Sequence, residues 1–285
     1  MDPIQNVSDT AFLVAQCRAI ESARTDALFY DPLAAELAGE KGRAIVAAYP
    51  TADMTGWTVA IRTVIIDELI RSAVARGVDL VVNLGAGLDT RPYRLELGNK
   101  PPRWVEVDFP AMIAFKAERL AGKRSLFAVE SVSLDLSDLG ARAAFFAELA
   151  ARGHKTLVLT EGVIPYLTIE QVAALADDLR RLPNIEAWVV DYFSKDVHAY
   201  RDRQPELLRE ARFLFRPDDW FGFFSDHGWG AREVRYLPEE GARLRRNPPL
   251  PRGVRWLMTV LWPFVPRSRR DAFRRALAYV VLEPE

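Results

Sequence analysis

Gly85, Gly87, Asp89 and Arg91 fall within seven positions of "DLVVNLGAGLDTRPYRLEL", residues 79–97, directly after a β-forming run. The two glycines, with Ala86 between them, let backbone pass close beneath a ligand, as in a first-strand loop. A dinucleotide fingerprint wants a third glycine so that a helix N-terminus can approach a pyrophosphate. Here Thr90 holds that place, and the carboxylate of Asp89 beside it would repel a pyrophosphate. The pattern disfavours an NAD-dependent oxidoreductase. It suits a ligand without phosphate and with a cationic centre, and S-adenosylmethionine, with adenosine, a sulfonium and an amino-acid end, is such a ligand. Arg91 offers a fork for Asp89, for a neighbouring acid or for a ligand carboxylate.

Further acids stand where an adenosine would use them. Glu106 and Asp108 close the run "RWVEVD", about 20 residues after the glycines, the distance expected of a side chain that accepts ribose hydroxyls. Asp135, in "SLDLSD", could accept from an adenine amino group while Leu136 packs on the ring, or it could cap the helix that follows.

A general base is harder to find. The three histidines are His154, His198 and His227. His154 lies in "ARGHKT", a turn before a strand. His198 and His227 follow the fifth strand, where acceptor pockets form, and Tyr192 and Tyr166 stand at strand ends on the same side. His198, His227 and Tyr192 are the catalytic candidates, each with a structural alternative. A carboxylate acceptor, ionised at neutral pH, needs no base, whereas a phenol or alcohol profits from one. No Ser/His/Asp order and no metal-ligand spacing stands out.

These residues need a scaffold. Strands are expected at 80–85, 103–108, 125–134, 156–162, 186–193, 231–237 and 276–283, with helical stretches such as 137–152 and 168–182 between them. Apolar strands alternating with helices predict an α/β fold with a parallel sheet covered on both faces, whose ligands bind at the carboxyl ends of strands near a switch point. Residues 1–76 read as an N-terminal helical cap, with helices near 10–24 and 57–76 broken by "YDPLAAEL". Residues 77–285 read as the core, with a substrate or lid region at about 196–270.

Composition bounds the rest. The 285 residues, 49% hydrophobic, can bury a substantial core, and a net charge of −1 gives no pull toward nucleic acid. The one cysteine, Cys17, reads as a small buried hydrophobe in a reducing, cytoplasmic setting. No apolar run is long enough to span a bilayer, so a membrane partner is not expected. From Arg243 to Arg275 there are ten arginines and one acid, Asp271, around the apolar run "VRWLMTVLWPF". That segment reads as a solvated lid helix, or as a site for an anionic substrate or anionic surface. Oligomeric state is not legible.

"RTDALFYDPLA", "NLGAGLDTRPYRL", "VEVDFP" with Lys116 after it, "LDL" and "TEGVIPYL", in that order, resemble the leucine carboxyl methyltransferase family and its bacterial polyketide O-methyltransferase relatives, over roughly residues 8–193. The resemblance implies a class I, Rossmann-like methyltransferase fold with a seven-stranded, mostly parallel sheet, an N-terminal helical cover and S-adenosyl-L-methionine as cofactor. It implies that Gly85 and Gly87 pass under the methionine portion, Asp108 or Glu106 holds the ribose, and Asp135 and Leu136 frame the adenine. Glu161 would face the ammonium and Arg62 the carboxylate, with Arg18 near that carboxylate. For Arg62 an internal ion pair with Asp67 or Glu68 is the alternative; for Arg18 it is a solvated helix face. The implied function is O-methylation of a small natural-product-like carboxylic acid or hydroxyl compound, the acceptor being apolar and anionic. The alternatives are a protein C-terminal carboxyl methyltransferase and a non-catalytic cofactor-binding protein.

Overall fold

The computed structural model describes residues 6–49, 51–98, 100–203, 212–250, 253 and 261–285. Three helices, α1 (Asp9–Ser22), α2 (Ala34–Ala48) and α3 (Ala52–Ala75), precede the first strand. Strand and helix then alternate: β1 (Leu80–Leu84), α4 (Arg91–Arg94), β2 (Arg103–Asp108), α5 (Pro110–Arg119), β3 (Val129–Ser133), α6 (Leu139–Ala151), β4 (Thr156–Thr160), α7 (Ile169–Arg180) and β5 (Ile185–Phe193). The rest comprises α8 (Lys195–Asp202), α9 (Trp220–Asp226), β6 (Trp229–Tyr236), α10 (Leu237–Arg243), α11 (Arg267–Arg274) and β7 (Leu277–Pro284).

The seven strands form one sheet in the order β3-β2-β1-β4-β5-β7-β6. β1 to β5 are parallel, and β7 runs antiparallel between β5 and β6. The order departs in both directions from β1, so β1 and β4 flank a switch point, and the crevice opens at their carboxyl ends.

The period of two sorts side chains to the two faces. Leu80, Val82, Leu84, Val105, Val107, Val158, Trp188 and Val190 join one core cluster. Val81, Trp104, Leu157, Leu159, Ala187, Val189 and Tyr279 join the other, with α3. On α3, Ile61, Ile65, Ile66 and Ile70 are fully buried, a helical stripe in which each side chain is worth about 1.5–3 kcal/mol. This stripe holds the helix on the sheet and thereby fixes Arg62.

Each expected strand window holds a strand. The third is shorter than its window because the chain still turns at Ser125, whose hydroxyl donates to the Phe127 carbonyl at 2.7 Å. The break at "YDPLAAEL" is followed by a helix the pattern did not suggest: Asp31 Oδ1 accepts from the Ala34 amide at 3.1 Å and opens α2, which bends at Gly39. The region 196–270 lies partly outside the described residues, and within it β6 belongs to the sheet. Most of the apolar run 254–264 lies outside them as well.

Candidate active site

The loop after β1 folds back on β2. Gly85 and Ala86 donate their amides to the Val107 carbonyl at 2.8 and 3.0 Å, and the Gly87 amide donates to Asp108 Oδ2 at 2.7 Å. Gly85 and Gly87 both have positive φ, +70° and +48°. A Cβ on Gly85 would stand 2.3 Å from Val163 Cγ2, so Val163 closes over a position that only glycine can occupy. Asp108 Oδ1 accepts from the Phe109 amide at 2.7 Å. Burial raises the Asp108 pKa, and the two amides partly offset this.

The structure separates Glu106 from Asp108. Glu106 is 2% exposed and bound to Lys116 Nζ at 2.8 Å, turned into the protein. Burial raises its pKa against the pull of Lys116. Asp108 is half-buried at the strand end, against the glycine loop. Asp135, at the end of β3, is exposed and accepts from the Ser137 amide and hydroxyl at 2.8 and 2.7 Å. The helix cap is Asp138 instead, which accepts from the Ala141 amide at 3.0 Å, so the capping alternative for Asp135 does not apply. Leu136 packs, partly buried, on the core beside it.

Beneath the loop lies a buried ionic network. Arg91 joins three carboxylates: Asp67 at 2.7 Å, Asp89 at 2.9 Å and Glu161 at 2.7 Å. Burial opposes the charges on Asp89 and Glu161, yet Arg91 holds both pKa values below the ordinary range, with help from Lys116 for Asp89 and from Arg62 for Glu161. The charge of Asp89 is therefore balanced internally, and its repulsion of a phosphate is weaker than the sequence suggests. The stronger obstacle is Thr90, fully buried where the third glycine would be, with its hydroxyl on Asp31 at 2.6 Å.

Arg62 Nε lies 2.8 Å from Glu161 Oε1, off the N–H direction, so this contact is ionic and the buried Nε–H has no aligned acceptor among the described residues. Burial opposes the Arg62 charge, and Glu161, Tyr279 and Asp191 outweigh it and keep the pKa above its ordinary value. The expected alternative partners are engaged elsewhere: Asp67 with Arg91 and Arg94, Glu68 with Arg235 and Arg243. Arg18 is not on a solvated face. It is 6% exposed, its Nε on Asp31 at 2.8 Å and its Nη2 on the Leu88 carbonyl at 2.5 Å, tying α1 to the glycine loop.

Sequence reasoning missed Asp191. It is 3% exposed on β5, accepts from the Gly162 amide at 2.8 Å and from the Tyr279 hydroxyl, and burial pushes its pKa up to about 6. The signal was present: Asp191 in "WVVDYF" and Asn83 in "LVVNLG" are polar residues inside apolar strands. Asn83 Nδ2 donates to Asp89 Oδ2 at 2.9 Å.

The catalytic candidates diverge. β7 reverses direction, so Tyr192, Tyr236 and Leu277 share the carboxyl end of the sheet while Trp229 and Pro284 share the other. His227 immediately precedes that remote end and meets Asp177 of α7 at 2.7 Å, away from the glycine loop. Tyr192 packs in an aromatic group with Trp220, Phe221 and Tyr236, and burial raises its pKa. His198, on α8, contacts Phe193 and Phe213, and its buried Nδ1 has no hydrogen-bond partner among the described residues. Burial, with Arg216 and Arg201, depresses its pKa to about 4. His154 meets Asp79 at 3.1 Å in the turn before β4. Cys17 is buried, and burial raises its thiol to about 11. Among the described residues no cluster of His, Cys, Asp and Glu could hold a metal, and no helix is long and apolar enough to cross a membrane.

Of the arginine-rich segment, Arg243 and Arg246 are occupied: Arg243 by Glu240 and Glu68, Arg246 by Glu21 and Asp26. They brace α10 against α1 and α3, so these two arginines are committed to the protein's own acids.

A sheet with one antiparallel strand near its edge, and a ligand crevice at β1 and β4, define the class I methyltransferase fold. A solved structure of a methyltransferase from Thermobifida fusca has this fold, with a TM-score of 0.56, 16% identity and coverage of 87% of this chain and 89% of that one. The sequence profile of leucine carboxyl methyltransferase matches residues 11–180, and the chain belongs to that family. A protein of Streptomyces coelicolor, named as an S-adenosyl-L-methionine-dependent methyltransferase, is 32% identical over 247 residues, 78% of this chain and 82% of its own length. One of Rhodococcus jostii with the same name is 33% identical over 272 residues, 88% and 92% of the two chains. The chain is thus an S-adenosylmethionine-dependent methyltransferase of the leucine carboxyl methyltransferase family.

Proposed function

We propose that this enzyme methylates oxygen on a small, apolar carboxylic acid. The cofactor residues at the carboxyl ends of β1, β2 and β4 fit S-adenosylmethionine on two grounds. Gly85 and Gly87, both at positive φ, let the loop turn as a backbone passing beneath a ligand must, and Arg62 carries a buried Nε–H that lacks an aligned acceptor among the described residues and suits a ligand carboxylate. Asp108, rather than the Lys116-bound Glu106, is the ribose acceptor in this reading. Asp135 and Leu136 frame the adenine, and Glu161 provides negative charge toward the ammonium. Arg18, Asp89 and Arg91 act by holding the loop. Helices α1 to α3, within residues 1–76, form the cap, and parts of 196–270 form the acceptor side. S-adenosylmethionine supplies a methyl on a positively charged sulfur, and the protein's task is to align and desolvate an oxygen nucleophile.

The observation that carries the carboxylate reading is the state of His198. Its buried Nδ1 has no hydrogen-bond partner among the described residues to orient the ring as a base, and burial with Arg216 and Arg201 depresses its pKa to about 4; both disfavour it as a general base toward a phenol or alcohol. Asp191, with a pKa of about 6, is sealed by its partners at 3% exposure and cannot reach an acceptor. A carboxylate needs neither.

The test is methyl transfer from labelled S-adenosylmethionine to a mixture of metabolite acids, followed by mild alkali. Methyl esters release labelled methanol, whereas ethers and methylamines do not. Alkali-stable label in the product would overturn the carboxylate reading.

A further inference from the structure

We infer that Arg201, with His198 one turn before it on α8, forms the subsite that anchors the anionic group of the acceptor. This rests on the acceptor reading above and names the residue behind it. The Arg201 guanidinium carbon lies 3.7 Å from the centroid of the Phe213 ring. Among the described residues it has no carboxylate in ion-pair reach and no hydrogen-bond acceptor. Its neighbour Asp202 is taken by Arg216 Nη1 at 2.8 Å, so these three residues together leave one uncompensated positive charge. Burial lowers the Arg201 pKa, as expected of a partly desolvated guanidinium with no carboxylate in ion-pair reach among the described residues.

The place is the acceptor side. Leu214 and Phe215 donate their amides to the Pro165 carbonyl at 2.7 and 3.3 Å, which straps the Phe213 segment to the turn after β4. Phe213 packs edge-on against Tyr166 at 5.4 Å and against Phe193 at 4.8 Å. Tyr166 comes five residues after Glu161, and Tyr49, at the end of α2, faces the same guanidinium. An aromatic floor with a stacked, unpaired fork is the chemistry that recognises an aryl or apolar carboxylate: the rings take the apolar body and the fork takes the two oxygens. His198 Nδ1, buried without a partner among the described residues, can donate to the same anion in the matching tautomer.

The probes are 2-naphthoate and its neutral twin 2-naphthamide, titrated by calorimetry into the enzyme saturated with S-adenosylhomocysteine. The wild type should prefer the naphthoate by roughly tenfold or more. Arg201→Gln should abolish that preference and Arg201→Lys should reduce it, because the charge stays and the fork is lost. Arg203→Gln, on the exposed side of the same turn, should keep it. Melting curves and S-adenosylhomocysteine affinity, unchanged in all three variants, show that the fold and cofactor site are intact. Equal affinity for the two probes in the wild type, no naphthoate binding at millimolar concentration, or a preference retained in both Arg201 variants would overturn the inference. A product methylated on nitrogen or carbon would instead defeat the oxygen-methylation reading and leave this charge preference standing.

Discussion

Glu106 and Asp108 show how two like residues at one strand end come to separate duties. Glu106 is half of a buried pair, so Glu106→Ala strands Lys116 in the core and should cost about 3–5 kcal/mol of stability, measured by denaturant unfolding. Glu106→Gln, which keeps an acceptor for Lys116, should cost less. Arg62 behaves differently. Arg62→Lys keeps the charge beside Glu161 and loses the fork, so S-adenosylhomocysteine should bind several-fold more weakly while the fold persists. Equal affinity would make Arg62 a structural counter-ion and nothing more. The presence of these acids and of Arg62 was legible in the motifs. Which acid turns inward was not, because Glu106 and Asp108 differ by two positions, share a face of β2, and are distinguished only by where the Lys116 side chain lands.

At the scale of elements, the glycine loop is held by strand β2 below and by Val163 above. Gly85→Ala introduces a Cβ 2.3 Å from Val163 Cγ2 at a residue with φ +70°. It should lower stability by about 1–2 kcal/mol or more and weaken cofactor binding, and Val163→Ala added to it should restore part of the loss. Full stability in the single variant would mean that the loop is freer than its hydrogen bonds to Val107 and Asp108 indicate. The strands were legible because Val, Leu and Ile runs bounded by turns leave few options. Helix α2 was not: Gly39 and Gly42 interrupt its pattern, and it is held by tertiary contacts, Gly42 packing against Phe12 and Gln16 of α1. Two members of the arginine-rich segment were illegible for a related reason. Arg243 and Arg246 look free in the sequence, yet they find acids on α3 and α1, 175 and 225 residues earlier.

For the whole molecule, buried titratable groups set the response to pH. Asp191 has its pKa raised to about 6, so the native state holds its proton more tightly than the unfolded chain does. Its contribution is present at low pH and is lost as pH rises from about 4 to about 6, a penalty of about 3 kcal/mol at neutral pH. Asp191→Asn should therefore gain stability relative to wild type across that window, as read by melting temperature at pH 4 and pH 7. His198 acts in the opposite sense. With its pKa lowered to about 4, its contribution is present above about pH 6.5 and is lost as pH falls toward 4, and His198→Gln should flatten that limb. The central claim concerns the crevice at β1, β2 and β4, and its most direct test is calorimetric titration of S-adenosylhomocysteine into wild type and Asp108→Ala. Loss of a charge-assisted hydrogen bond should weaken binding by roughly tenfold or more. Undiminished affinity in a folded Asp108→Ala protein would contradict the placement of the cofactor at the end of β2.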